Sequence, residues 1–260
     1  MIRLTRENYH STEANLDYFS ASTFKDFMEC EAMTMAKIRG DYVPEKSTAL
    51  LVGSYVDAHF GGTLDLFKAQ NPEILKRDGT LKAEYIQADE IINRIEQDEM
   101  FMKYMSGEKQ VIKTANLFGY DVKIRIDSYH PGKAIVDLKI MRDFEPVYVD
   151  GMGRVNFALA WGYDIQGAIY QAVVQMLTGE RLPFILACAT KQRDGADIGL
   201  FSMPQFELDS ALKIVEHRID RFADVKAGKD KPRRCEKCAY CRQTKKLKTV
   251  AVLEVSPDVD

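Results

Sequence analysis

Three side chains in the middle of the sequence have the types and spacing of a metal-assisted hydrolytic site. They are Asp127, in Arg125-Ile126-Asp127, and the pair Asp137 and Lys139, in Asp137-Leu138-Lys139 ten residues on. Successive side chains of a strand point to opposite faces, so Asp137 and Lys139 share one face while Leu138 turns to the other. Val136 and Ile140 flank them, and charges in so apolar a strand are costly unless paired or bound to a metal. Two carboxylates can hold a hard divalent ion such as Mg2+, which lowers the pKa of a bound water and polarises a phosphodiester. The neighbouring ammonium can orient that water or offset charge developing at phosphorus. Asp-x-Lys alone is more often the mark of an edge strand or a surface ion pair, so the surrounding elements must decide.

Those elements show as changes of period. Ser20 to Thr23 offer N-cap hydroxyls, and Phe24, Phe27, Met28 and Met35 recur at near-helical spacing, predicting one helix over 20–40. A second helix follows Pro44, carries Leu50, Leu51, Val52, Val56 and Phe60, and stops at Gly61-Gly62. A third pattern runs from Leu81 to about Tyr104, with Ile86, Ile91, Ile92 and Ile95 on one side. Residues 110–118, 120–130 and 133–140 alternate, are rich in Val and Ile, and read as strands separated by Gly119 and Pro131-Gly132. A helix from Tyr163 to Leu177, strands at 183–189 and 198–203, and a helix from Leu208 to about Val225 complete the order. The pattern predicts one α/β core over about 44–225 with helical decoration, within a single domain spanning 1–260. Register then becomes decisive. A two-residue Pro131-Gly132 turn would place Asp127 and Asp137 on opposite faces, so a shared metal requires a three-residue loop 131–133 or a bulge.

Composition bounds the rest. The chain has 260 residues, 46% hydrophobic and 29% charged, which excludes disordered and collagenous classes. No apolar run approaches a membrane span, and the polar N-terminus lacks a secretory h-region, so a cytoplasmic protein with no membrane partner is expected. Net charge is −3, yet residues 226–248 carry +8. Such a basic block beside an acidic body suits a polyanion, with Lys245, Lys246 and Lys248 as phosphate contacts, although a charge run alone is more often a solvated tail. Inside the block, Cys235-x-x-Cys238-x-x-Cys241 argues for a metal and not for disulfides. Cys188, in an apolar run, reads as a buried strand residue, which leaves Cys30 as the better fourth ligand.

Four elements in order resemble the PD-(D/E)xK nuclease superfamily, its RecB-like branch, and within it the phage and prophage RecE-type (exodeoxyribonuclease VIII-like) exonucleases. They are Gly53 to His59, Asp127, Asp137-Leu138-Lys139, and the helical pair Gln166 and Tyr170. The resemblance implies a restriction-endonuclease-like α/β core, with a central mixed sheet flanked by helices, a helical N-terminal part and a Cys-rich basic C-terminal segment. It also implies that His59, Asp127, Asp137 and the Leu138 carbonyl hold Mg2+ or Mn2+, that Lys139 is the catalytic lysine, and that Gln166 and Tyr170 position DNA. A histidine ligand would suit Mn2+ at least as well as Mg2+. The stretch from Ser22 to Cys30 is similar to the cysteine helix of cluster-bearing RecB-like nucleases. That likeness implies a [4Fe-4S] cluster, or Zn2+ as the alternative, joining Cys30 to Cys235, Cys238 and Cys241.

The expected function is therefore a metal-dependent exonuclease that digests duplex DNA ends in phage-type recombination, with a single-strand annealing protein as partner and homo-oligomerisation open. A related endonuclease, a CRISPR-adaptation-type nuclease and a non-catalytic, cluster-stapled DNA-binding module stand as alternatives.

Overall fold

The alternating stretch in the middle of the chain folds into three consecutive strands, β1 (Glu108–Leu117), β2 (Tyr120–His130) and β3 (Ala134–Met141). The structure is a computed structural model and describes residues 2–250 except 46 and 248. Among the described residues there are four further strands: β4 (Val147–Val149), β5 (Gly153–Val155), β6 (Phe184–Thr190) and β7 (Ile198–Ser202). Before the sheet come α1 (Thr12–Asp17), α2 (Ala21–Glu29), α3 (Glu31–Arg39), α4 (Thr48–Phe60), α5 (Leu64–Gln70), α6 (Ala83–Glu96) and α7 (Glu99–Met105). Later helices are α8 (Phe157–Ala160), α9 (Tyr163–Thr178), α10 (Gln205–Lys226) and α11 (Ala239–Gln243). No helix among the described residues is long and apolar enough to cross a membrane.

The main sheet has the order β1-β2-β3-β6-β7 and is mixed, with β3 and β6 parallel and the other neighbours antiparallel. Apolar residues of β6 alternate between two cores. Phe184, Leu186 and Cys188 join the side chains of α2, α9 and α10, whereas Ile185, Ala187 and Ala189 join those of α4, α6 and α7. Every residue of β6 is buried, so its unbroken apolar run is the mark of a strand covered on both faces. Cys188 is fully buried there, as its sequence context indicates.

The β2–β3 connection takes the odd length that a shared site requires. Tyr129 pairs with Ile135 and His130 with Ala134, leaving Pro131, Gly132 and Lys133 as a three-residue loop with Gly132 at φ +68°. Continued by two residues from the Tyr129–Ile135 pair, this register sets Asp127 opposite Asp137. Pairing stops after Ser128 and Val136, and beyond that point the two strands part. The distal half of β2 instead bonds Phe19, through Phe19 N–H to the Asp121 carbonyl and Lys123 N–H to the Phe19 carbonyl, each 2.8 Å.

Three helical readings need correction. The single helix expected over 20–40 is two, because Cys30 is extended (φ −163°, ψ 104°) and ends α2 while its sulfur accepts from Met33 N–H to start α3. The 81–104 pattern breaks before Asp98, whose carboxylate caps α7. Ile86 points to solvent, while Ile91, Ile92 and Ile95 are buried. Short elements with weak periodicity, namely α1, α5, α8, α11 and the β4–β5 hairpin, lie outside the sequence expectation.

Gly167 lets α9 lie close on β6. A Cβ there would stand 2.5 Å from Phe184 Cδ1 and 2.9 Å from a Leu208 methyl, with both side chains already buried. Gly167→Ala is expected to destabilise the fold by about 1–3 kcal/mol, the cost of overpacking, read as a lower urea midpoint with an unchanged m-value.

Candidate active site

The parting of β2 from β3 opens a cleft of about 430 Å3 lined by Asp57, Arg125, Asp127, Asp137, Lys139 and Tyr163, among others. Asp127 sits at the crotch of the fork. Its Oδ2 accepts from Leu138 N–H at 2.9 Å, taking a donor that a longer β2–β3 ladder would use. Asp137 is buried; its Oδ1 accepts from the Gln166 amide at 2.6 Å. Its Oδ2 meets the Lys139 ammonium, with no well-directed hydrogen-bond donor. Lys139 also lies over the Tyr163 ring, 5.1 Å from the centroid. Burial pulls the Lys139 pKa down, but Asp137, Asp127 and Tyr163 outweigh it and hold the ammonium charged.

The sequence expectation for α4 is overturned. His59 lies 2.7 Å from Glu96 on α6 and does not line the cleft, whereas Asp57 does. Two residues along a helix is about 200°, so only one of the pair can face the carboxylates. The face that does so carries Gly53 and Asp57, four residues apart. Asp57 Oδ1 and Asp127 Oδ1 are bridged by the Gln110 amide at 3.1 and 3.2 Å. Gln110 was not foreseen, and it adopts φ +53°, a conformation uncommon for a residue with a side chain. Periodicity carries no signal for such a residue. Arg125 approaches Asp57 at 3.8 Å.

Burial raises the pKa of Asp127 well above the usual carboxylate range, and the charges of Asp137 and Asp57 push it further. Burial also raises Asp57, Asp137 adds to it, and Arg125 opposes both. Carboxylates brought together like this cannot all ionise without a compensating cation. The donors are oxygens throughout, which fits a hard ion such as Mg2+ better than the histidine-containing set expected from sequence.

Gln166 and Tyr170, one turn apart on α9, divide their work. Gln166 holds Asp137, while the Tyr170 hydroxyl donates to the Arg125 carbonyl at 2.9 Å and so ties α9 to β2. The other wall includes Tyr9 and His10 of the N-terminal segment, with His10 lowered to about 4 by burial and by Arg125 and Lys123. Buried Lys123 anchors that segment, donating to the Tyr9 carbonyl at 2.5 Å and to Asn15 at 2.8 Å.

Away from the cleft, Cys30, Cys235, Cys238 and Cys241 bring their sulfurs within 4.8 Å of one another, a group able to hold a metal ion. Backbone N–H groups of Cys238 and Lys237 pull Cys235 down to about 6, whereas burial pushes Cys238 up to about 12. The C-terminal segment also docks through polar contacts that the sequence did not reveal. Glu31, buried, accepts from Arg221 at 2.8 Å and from Arg233 N–H at 2.7 Å, and Tyr42 packs on Tyr240. Lys245 and Lys246 lie at the surface of this segment; Lys248 lies outside the described residues.

A forked mixed sheet with Asp127, Asp137 and Lys139 at the fork defines a restriction-endonuclease-like α/β core of the PD-(D/E)xK nuclease superfamily. Residues 20–244 match the PDDEXK-like domain of unknown function DUF3799, and the chain belongs to that family. A crystal structure from Eubacterium rectale, described as a "Putative exonuclease", is 50% identical with TM-score 0.94, covering 97% of each chain. A second structure, of SSO0001, is 15% identical over 84% of this chain and 92% of its own, with TM-score 0.30. A search of curated proteins found no match.

Burial lifts the Glu31 pKa, but hydrogen bonds from Arg221 and Arg233 outweigh it and hold the carboxyl below its ordinary value. The stability it contributes is therefore full above the unfolded carboxylate pKa of about 4.3 and lost as pH falls through the lower folded value. Glu31→Gln is expected to lower the urea midpoint at neutral pH, with the gap from wild type narrowing below about pH 4.

Proposed function

We propose that this protein is a metal-dependent deoxyribonuclease that hydrolyses phosphodiester bonds from duplex ends in phage-type recombination. The observation that carries the reading is the meeting of Asp57, Asp127 and Asp137 with Lys139 at the β2–β3 fork. The family match and the resemblance to a protein described as an exonuclease support it. Asp57, Asp127, Asp137 and the Leu138 carbonyl would hold Mg2+ or Mn2+, which would polarise the phosphodiester and acidify a water.

The chain's own groups do the rest. Gln166 fixes the orientation of Asp137, and Gln110 sets Asp57 against Asp127. Lys139 keeps its proton beside Asp137 and offsets charge that develops on the phosphate. Gln166 and Tyr170 position DNA indirectly, by holding the carboxylate and the strand beneath it. Lys245 and Lys246 extend a basic surface for the phosphate backbone. A bacterial cytoplasmic setting, phage or prophage origin, a single-strand annealing partner and homo-oligomerisation belong to the same proposal.

For the four thiols we favour a single Zn2+ over a [4Fe-4S] cluster. A tetrahedral ion with Zn–S bonds of about 2.3 Å has sulfur–sulfur edges of about 3.8 Å. Cys30 and Cys241 stand 3.5 Å apart, and Cys235 and Cys241 3.9 Å. A four-iron cube places irons and sulfides between its thiolates and holds them farther apart. Elemental analysis of anaerobically purified protein is expected to find about one zinc per chain and no iron. Cys30→Ser is expected to lose the metal and lower Tm by roughly 5–10 °C, whereas Cys188→Ser keeps the metal.

Digestion of end-labelled linear and circular duplex with Mg2+ tests the activity. Linear DNA is expected to be degraded from its ends while closed circles persist; nicked circles would instead point to an endonuclease. Asp137→Ala and Asp57→Ala are each expected to lower the rate by 100-fold or more, with DNA affinity little changed, because the ion acts on charge formed in the transition state. His59→Ala is expected to retain near-wild-type cleavage. A wild-type rate in Asp137→Ala would falsify the site.

A further inference from the structure

The only tryptophan of the chain, Trp161, stands with its side chain in solvent at the corner between α8 and α9, 55% exposed. Its backbone is held rigidly. Trp161 N–H bonds the Phe157 carbonyl at 3.1 Å, and Gly162 N–H bonds the Leu159 carbonyl at 3.1 Å. The Lys25 ammonium bonds the Trp161 carbonyl at 3.2 Å. Gly162 is left-handed (φ +62°), and a Cβ there would lie 2.9 Å from Lys25 Cδ, so the corner is closely fitted to this lysine.

The corner leads straight into the cleft. Tyr163, one residue beyond Gly162, lies under both Lys25 and Lys139, at 5.3 and 5.1 Å from its centroid. Lys25 and Tyr163 both line the cavity that holds Asp127 and Asp137. Lys25 thus brings a positive charge to the cleft wall and gives its hydrogen bond to a carbonyl, not to a carboxylate. Trp161 does not itself line the cavity, but its exposed indole springs from a fixed backbone corner whose carbonyl is held by a cleft-lining cation, a pairing suited to gripping single strands. A base stacks on the ring and the adjoining phosphate meets the ammonium.

We propose that Trp161 and Lys25 form a nucleotide-holding lip, in which an unpaired base stacks on the Trp161 indole and its phosphate is taken by Lys25. The lip rests on the nuclease reading and adds to it that the strand reaches the carboxylates unpaired. Duplex DNA then requires local separation at its end before entry.

Because Trp161 is the sole tryptophan, its emission reports the lip directly and without cleavage. Wild-type protein with no added divalent metal is titrated with a labelled oligothymidylate, with anisotropy reporting binding and fluorescence reporting stacking. Binding is expected to quench the emission, and a blunt hairpin duplex is expected to quench it less. Trp161→Ala is expected to raise KM for the single strand roughly tenfold, equivalent to about 1.4 kcal/mol, while kcat stays unchanged. Trp161→Phe is expected to restore most of the affinity, since a smaller aromatic face still stacks. Binding without quenching, together with an unchanged KM in Trp161→Ala, would overturn the lip and leave the nuclease reading standing. No binding of the labelled strand by a protein that still cuts linear duplex with Mg2+ would overturn the lip alone, and no cleavage of linear duplex with Mg2+ or Mn2+ would overturn the nuclease reading. Quenching by a protein that cuts neither the strand nor linear duplex with Mg2+ or Mn2+ would support the nucleotide-holding lip and reject the nuclease reading.

Discussion

Asp127 accepting the Leu138 N–H is the contact around which the site is arranged. In an uninterrupted antiparallel ladder that donor would go to a backbone carbonyl of β2. The carboxylate takes it instead, and β2 is free to bend away from β3 and pair with Phe19. The gap left by this exchange is the cleft. The register around the three-residue loop 131–133 ensures that the gap opens where Asp137 and Asp127 stand opposite each other. The gap goes with one side chain competing successfully with the backbone for a hydrogen bond, and its place goes with the register of the loop.

Burial then makes the fork electrostatically demanding. Asp57, Asp127 and Asp137 face one another in a partly desolvated space, and the protein supplies only partial compensation. Lys139 and Gln166 serve Asp137, Gln110 spans Asp57 and Asp127, and Arg125 stands near Asp57. Such a site is stabilised further by any divalent ion it binds, and the same unsatisfied charge that costs folding energy makes the ion welcome. The left-handed Gln110 fits this view, since backbone strain is tolerated where it aims a side chain at a functional group.

Among the described residues, the N-terminal and Cys-rich segments are tied to the core by polar contacts as well as by apolar burial. Buried Lys123 and half-buried Lys226 hold the N-terminal segment by the carbonyls of Tyr9 and Tyr18. At the other end, Glu31 clamps Arg221 and the backbone of Arg233 beside the four sulfurs. The break at Cys30 serves both helices it separates, and it turns one thiol toward Cys241 from a distance of more than two hundred residues in sequence.

Strand periodicity alone determined that Asp137 and Lys139 share a face of β3, whereas joining Asp127 to them depended on the register of β2 against β3. It also marked the odd loop length that this grouping needs. Cysteine spacing, with an apolar context that set Cys188 aside, similarly marked Cys30 as the partner of Cys235, Cys238 and Cys241. These features were legible because alternation and short-range spacing are local properties of a chain. Other features were decided only by tertiary packing. Helical periodicity defines faces but not which face meets the cleft, so the preference for Asp57 over His59 awaited the docking of α4 on the sheet. Gln110 became a bridge because two distant carboxylates came within reach of it. The helix expected over 20–40 divided because Cys30 gains more as a cap and a member of the thiol group than as one more helical residue. Trp161 acquired its place through Lys25, a residue 136 positions away. Each depends on contacts between segments far apart in the chain, which no local pattern encodes.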